Sequence, residues 1–387
     1  LRLAADFGVS ANDRAGAARD LATAAMYIGR APGIMSARHP RSEAEALIAE
    51  AVELSDDTLL VRVALAVAVW AAMPARADAL AADSLARESG DPILRSIAMD
   101  MLTAVELFEN EIAAAVQVAR ARVEMLEAVP IGALAGFEHS DGHLMAAEVD
   151  LAAGDLAGAA AHAESLASLP FYRDEDHLAL SRRLLVDALA GRHDDVIRSG
   201  ERFRIGWERA GKPVAPNLAR APYAVAMVHG MRGEDDLRAR WVQITIELGI
   251  DPERLAGCAL GWSPVFDGLL ALERHDPAGA MRRLAADVDD SLFRSWGSGS
   301  WLPWYAALWS EAAVLGRHPD ATARVRRSLH VARDNPIAAA MVERAGAIAV
   351  SDSAALTGLA DTFGRLGCPY QQSRTLLLAR LLAEPGA

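Results

Sequence analysis

The chain has 387 residues, with 39 Lys and Arg against 52 Asp and Glu, a formal net charge of −13 and a pI near 5.3. Its arginines are dispersed among acids and lysine is nearly absent, whereas a surface that tracks nucleic-acid phosphates needs clustered cations, so no direct nucleic-acid binding is expected. Two distant cysteines, Cys258 and Cys368, cannot build a disulfide framework and suit a reducing cytoplasm.

Hydrophobic residues make up 52% and aromatics only 5%, because much of the apolar fraction is alanine. Ala, Leu, Arg and Glu lose little rotamer freedom in a helix, and β-branched or aromatic runs of the kind that mark strands are scarce, so the chain is expected to be all-α. The longest apolar run, Val63 to Met73, is too short to span a bilayer. No signal peptide is visible, and a start at Leu1 suggests a piece of something longer.

Helix corners organise the chain. Weak ones fall at Ala72-Met73-Pro74 and Phe108-Glu109-Asn110. Next comes "FEHSDGHLMAAE", where Glu138, His139, Asp141, His143 and Glu148 form the best candidate metal set. The competing reading makes Ser140 or Asp141 the cap of a helix from Gly142 to Ala153, with His139 in the loop before it. Stronger corners follow at Gly154-Asp155, at Gly191-Arg192-His193-Asp194-Asp195, at Gly233-Glu234-Asp235, at His275-Asp276 and at Gly316 to Asp320, with a weaker one at Val350-Ser351-Asp352. Asp155, Asp194, Asp235, Asp276 and Asp320 are spaced by 39, 41, 41 and 44 residues.

A period near 40 in a helical chain predicts two-helix repeats stacked into a solenoid. Val196, Gly200, Phe203 and Trp207 share one face after a corner, as do Leu237, Trp241, Ile244 and Leu248, and Leu178, Leu185, Ala188 and Leu189 offer the preceding helix to the same seam. The glycines are expected to end helices in the left-handed conformation and the acids to cap the next ones. His193 beside Asp194 and Asp195 therefore reads as a corner, since a capping corner recurs by construction and a catalytic or metal-binding triad does not. The acidic pairs Asp235-Asp236 and Asp289-Asp290 read the same way. A helical enzyme such as a terpenoid cyclase would instead turn clustered carboxylates toward one cavity. No phosphate-loop, dinucleotide, nucleophile-elbow or kinase motif occurs.

Five of the eight tryptophans fall between residues 262 and 309. Trp262, Trp296, Trp301, Trp304, Tyr305 and Trp309 are the candidate ligand-binding residues, forming either an aromatic-lined pocket or core packing between repeats. "WGSGSWLPWY" reads as a loop leading to a helix capped by Ser300.

The C-terminal third, from "SWLPWYAALWSEAAVLGRHPDATARVRRSLHVARDNPIAAAMVERAGAI" to "ADTFGRLGCPYQQSRTLLLARLL", resembles the helical sensor region of large ATP-binding LuxR-type transcriptional regulators and of related actinobacterial ATPases. Phe363-Gly364-Arg365-Leu366-Gly367-Cys368-Pro369-Tyr370 and Ser373 to Leu377 carry most of the likeness, and "RDLATAAMYIGRAPGIMS", residues 19–36, is similar to the beginning of that region. The resemblance implies a tetratricopeptide-like (TPR-like) right-handed superhelix over residues 1–387, less regular over about 1–135 and regular over about 136–387. It implies a non-catalytic sensor that binds a small molecule, peptide or partner protein and relays occupancy to an ATPase, with no cofactor and no membrane. ATPase and helix-turn-helix modules flank such regions and have no motif in this sequence. A stand-alone scaffold for partner proteins is the alternative.

Overall fold

The computed structural model describes residues 1–30, 39–54, 76–170, 176–294 and 296–383. The corner at residues 72–74, the apolar run at 63–73 and part of the 19–36 stretch lie outside them.

Among the described residues there are twenty-one α-helices and no strand. They are α1 (Arg2–Ser10), α2 (Arg14–Arg30), α3 (Arg41–Leu54), α4 (Arg76–Ser89), α5 (Pro92–Phe108), α6 (Ile112–Glu127) and α7 (Ala133–Ala152). Then follow α8 (Leu156–Ser168), α9 (Asp176–Ala190), α10 (His193–Arg209), α11 (Arg220–Met231), α12 (Asp235–Glu247), α13 (Pro252–Ala256) and α14 (Trp262–Glu273). The series ends with α15 (Pro277–Arg283), α16 (Trp296–Gly299), α17 (Leu302–Leu315), α18 (Ala321–Val331), α19 (Pro336–Ala349), α20 (Ser353–Arg365) and α21 (Pro369–Ala383). None of these helices is long and apolar enough to cross a membrane.

The chain divides into two units. The first comprises Leu1–Glu109 with Ala114–Gly142, and the second Asn110–Ala113 with His143–Ala387. The first unit packs α1 on α2, α2 on α3 and α4 on α5 around an alanine-rich core that includes Ala17, Leu21, Ala51, Ala82 and Ile97.

The second unit is built on a recurring corner. Gly191, Gly233, His275 and Arg317 all have positive φ, and each lies 42 residues after the last. At each, the left-handed residue's N–H bonds the carbonyl three back and the next N–H bonds the carbonyl five back, as in Gly191 to Ala188 and Arg192 to Asp187. These are Schellman closures, which satisfy the last carbonyls of the outgoing helix. The same closure ends the helices at Gly154, Ser351 and Gly367.

The acid's role depends on its distance from that residue. Asp155, Asp276 and Asp352 follow it directly, so they occupy the N-cap and accept from the N–H of Gly158, Gly279 and Ala355 at 2.9, 2.7 and 2.9 Å. At the Gly191 corner Arg192 holds the N-cap, and Asp194 and Asp195 lie in the first turn of α10, where they face the helix dipole without capping. Asp235 is likewise in the first turn of α12, and Asp320 is an N-cap residue without a side-chain bond. The cap expected of Asp194 is thus corrected. Replacing Asp276 with alanine is expected to cost about 0.5–2 kcal/mol, while Asp194→Ala leaves stability nearly unchanged; urea unfolding of the two variants checks the difference.

Each corner joins a buried first helix to a more exposed second one. The first helices pack in a row, α9 on α11, α11 on α14, α14 on α17 and α17 on α19, and α21 touches both α19 and α9. The row therefore returns on itself. At the point of return a Cβ on Gly191 would collide with Tyr370, so this corner needs glycine for space as well as for its φ of +80°. The end of α7 is fastened to the row, because Trp304 Nε1 donates to the Leu151 carbonyl at 2.9 Å and Asn335 Nδ2 to the Ala152 carbonyl at 2.8 Å.

The apolar stripe Val196, Gly200, Phe203 and Trp207 is the buried face of α10. On α12 the buried residues are Trp241 and Thr245, Leu248 is buried at its C-cap, and Leu237 is exposed. The stripe expected there is corrected at its first residue.

Candidate functional site

Trp262, Trp301, Trp304, Tyr305 and Trp309 are all buried in the core of the second unit. Trp296 opens α16, and its side chain lies outside the described set. Tyr223 lies edge-on to Trp262 at 5.3 Å, Phe266 edge-on to Trp301 at 5.3 Å, and Phe293 packs on Tyr305 at 4.6 Å. The guanidinium of Arg324 stacks over Trp309 at 4.4 Å. Tyr305 donates to the Ala286 carbonyl at 2.8 Å. Ser300, expected as a cap, instead donates to Glu148 at 3.2 Å, and Trp301 holds the N-cap position of α17.

Among the described side chains of the aromatic set, Trp304 alone lines the cavity inside the row of first helices. Met227, Met231, Met341, His193 and Tyr370 also line it, and there is no carboxylate among the described lining residues. Its volume is about 10 Å³, room for about one water molecule. Burial, then the charge of Arg232, pushes His193 down from its ordinary value. Tyr370 donates to Glu273 at 2.6 Å and packs its ring against His193 at 5.3 Å. The sequence missed Tyr370 and the methionines here, since nothing local says that α21 returns to α9.

Of the acids of "FEHSDGHLMAAE", Glu138 and Asp141 converge on two shared arginines, and Glu148 pairs with others. The whole stretch is inside α7, which runs from Ala133 to Ala152, so the expected loop and cap at His139 to Asp141 are corrected. A helix survives this polar run because its side chains find buried partners. In the first unit Arg30 bonds Glu138 at 2.7 Å and Asp141 at 2.9 Å, and Arg122 bonds Asp100 at 3.0 Å, Glu138 at 2.8 Å and Asp141 at 2.6 Å. Ser96 donates to Glu138 at 2.6 Å. His139 Nε2 is 2.9 Å from the Val129 carbonyl. In the second unit Glu148 pairs with Arg220 and lies 3.7 Å from Arg182. Burial works to raise Glu148, but these two arginines hold it below the usual carboxylate range. Among the described residues no three His, Cys, Asp or Glu side chains gather as a metal site.

A further buried network fastens α21. Arg344 donates to Glu311 at 2.7 Å, to Gln371 at 2.7 Å and to Thr375 at 3.0 Å, and Arg374 pairs with the other oxygen of Glu311. Each such group joins arginines and carboxylates of different helices, which an isolated sequence does not pair.

In the first-unit cluster two buried carboxylates are shifted in opposite directions. Burial works to raise Glu138, but Arg30 and Arg122 hold it down at about 2. Burial and the charge of Asp141 push Asp100 up to about 6, despite both arginines. A carboxylate raised above its unfolded value binds more protons folded than unfolded, so its contribution to stability falls as pH rises from about 4 to about 6. Wild type is therefore expected to gain stability over Asp100→Asn as pH falls from 7 to 4.5, as read by urea midpoints at each pH.

Cys258 and Cys368 are both free, and burial pushes the Cys368 thiol up to about 11. Comparison with protein-family models and with curated proteins finds no match for the chain.

Proposed function

We propose that this chain is a TPR-like helical-repeat sensor region of the kind found in large ATP-binding LuxR-type regulators. In this reading it is not an enzyme. It holds a small-molecule or peptide ligand or a partner protein in the cytoplasm and relays occupancy to an attached ATPase switch. The observation that supports it most is the recurrence of one corner geometry at 42-residue intervals through Gly191, Gly233, His275 and Arg317, a period within the range of stacked helical repeats and longer than the roughly 34 residues of a TPR itself.

A relay needs an element that reports on the whole row. Helix α21 fits that need, because Tyr370 touches the Gly191 corner while Gln371, Arg374 and Thr375 engage Arg344 and Glu311. The segment most similar to the regulators, Phe363 to Tyr370, is the corner that delivers this helix. A ligand that favours one position of α21 would shift the switch by its differential affinity.

The scaffold reading draws on a different feature. Leu377 and Leu381 are exposed one turn apart on α21, a face that a partner helix could cover. Nucleotide binding by the natural full-length product, with and without residues 1–387, separates the two. The sensor reading expects ATP binding whose affinity changes at least about fivefold on deletion of this region. A product that binds no ATP, or binds it equally in both forms, overturns the relay.

A further inference from the structure

His143 on α7 and His162 on α8 face each other within the second unit. Their Nδ1 atoms are 3.2 Å apart, with ring centroids at 5.5 Å and planes tilted by 45°. Both rings are partly exposed. Behind them Asp150 is fully buried, with a carboxylate oxygen 3.6 Å from Nε2 of His162.

Two imidazole nitrogens this close can share only one proton, so in the metal-free protein one donates and the other accepts. A tetrahedral zinc ion with bonds of roughly 2.0–2.1 Å separates its nitrogen ligands by roughly 3.3–3.4 Å. The present spacing is close to that, and a small turn of the rings aims both lone pairs at one point. The Asp150 carboxylate, 3.6 Å from Nε2 and beyond hydrogen-bond reach, acts through its charge alone, favouring the tautomer of His162 that carries its proton there. The two ligands stand on neighbouring helices, one of them capped by Asp155, so their spacing is set by the fold. Imidazole suits zinc, copper and nickel and not calcium or magnesium.

We propose that His143 and His162 bind a divalent transition-metal ion such as Zn²⁺, with Asp150 positioning His162 and water completing the coordination. The ion would staple α7 to α8. With only two protein ligands the site is of micromolar affinity and exchanges with solvent.

The test is isothermal titration of the intact, chelator-stripped chain with Zn²⁺, repeated with Co²⁺ to read the visible band of tetrahedral cobalt. One saturable site is expected, lost in His143→Ala and in His162→Ala, and weakened about 10- to 100-fold in Asp150→Asn. Affinity falls with falling pH, since the ligands must be neutral. Absence of saturable binding up to millimolar Zn²⁺, or unchanged binding in either histidine variant, overturns the site. Unchanged affinity in a folded Asp150→Asn removes the positioning role. Should that variant not fold, the wild-type titration and the two partly exposed histidine positions still decide the metal site.

Discussion

Replacing Arg122 with methionine is expected to destabilise the first unit by about 3–5 kcal/mol, the usual cost of removing one partner from a buried ion pair. Arg122 is fully buried and donates to Ser96, Asp100, Glu138 and Asp141. Without it the three carboxylates share the single guanidinium of Arg30. The loss comes from uncompensated charge and not from lost volume, since methionine fills much of the space. The double variant with Asp100→Asn is therefore expected to be less destabilised than Arg122→Met alone, because one buried charge has gone with its partner. Urea unfolding of the wild type, both single variants and the double variant checks this. Additive losses would contradict it.

Trp304→Ala is expected to cost about 3–5 kcal/mol, in the range for truncating a large buried aromatic. The indole is buried against the inner helices, lines the central cavity and donates to the Leu151 carbonyl. Truncation leaves a void beside Met227, Leu308 and Met341 and removes the indole's bond to the Leu151 carbonyl, which keeps its bond from the Gly154 N–H. Trp304→Phe keeps most of the packing and loses the hydrogen bond, so a smaller loss is expected. If Trp304→Ala unfolded at the wild-type midpoint, Trp304 would not be a packing residue, and the pocket reading of the aromatic set would gain ground.

The helical character of the chain and most of its corners were legible in sequence, because both are set locally. Composition decides helix against strand, and a glycine followed by an acid marks a helix end and the next start. The register of each cap was less legible, since one or two inserted residues, as in Gly191-Arg192-His193, move the acid from the N-cap into the first turn. The cleanest corners are also not all glycine, because His275 and Arg317 take the left-handed conformation without any local signal of it. The polar run of α7 reads in sequence as a loop followed by a helix, whereas it is one helix from Ala133 to Ala152. Its polar run is unfavourable alone and becomes stable only when Arg30 and Arg122 arrive from distant helices. Long-range pairing also hid the return of α21 to α9, the methionine-lined cavity and the partnership of His143 with His162, which stands 19 residues away on the next helix. Trp262, Trp301, Trp304, Tyr305 and Trp309, close together in sequence, all lie in the core of the second unit.

Hydrogen exchange by mass spectrometry tests the repeat most directly. With the inner row buried and the second helices facing outward, amides of α11, α14 and α17 are expected to exchange at least about tenfold more slowly than those of α10, α12 and α18, through global opening of the second unit. Equal protection of the two sets, or slower exchange in the outer one, would contradict a row of inner helices built on a 42-residue repeat.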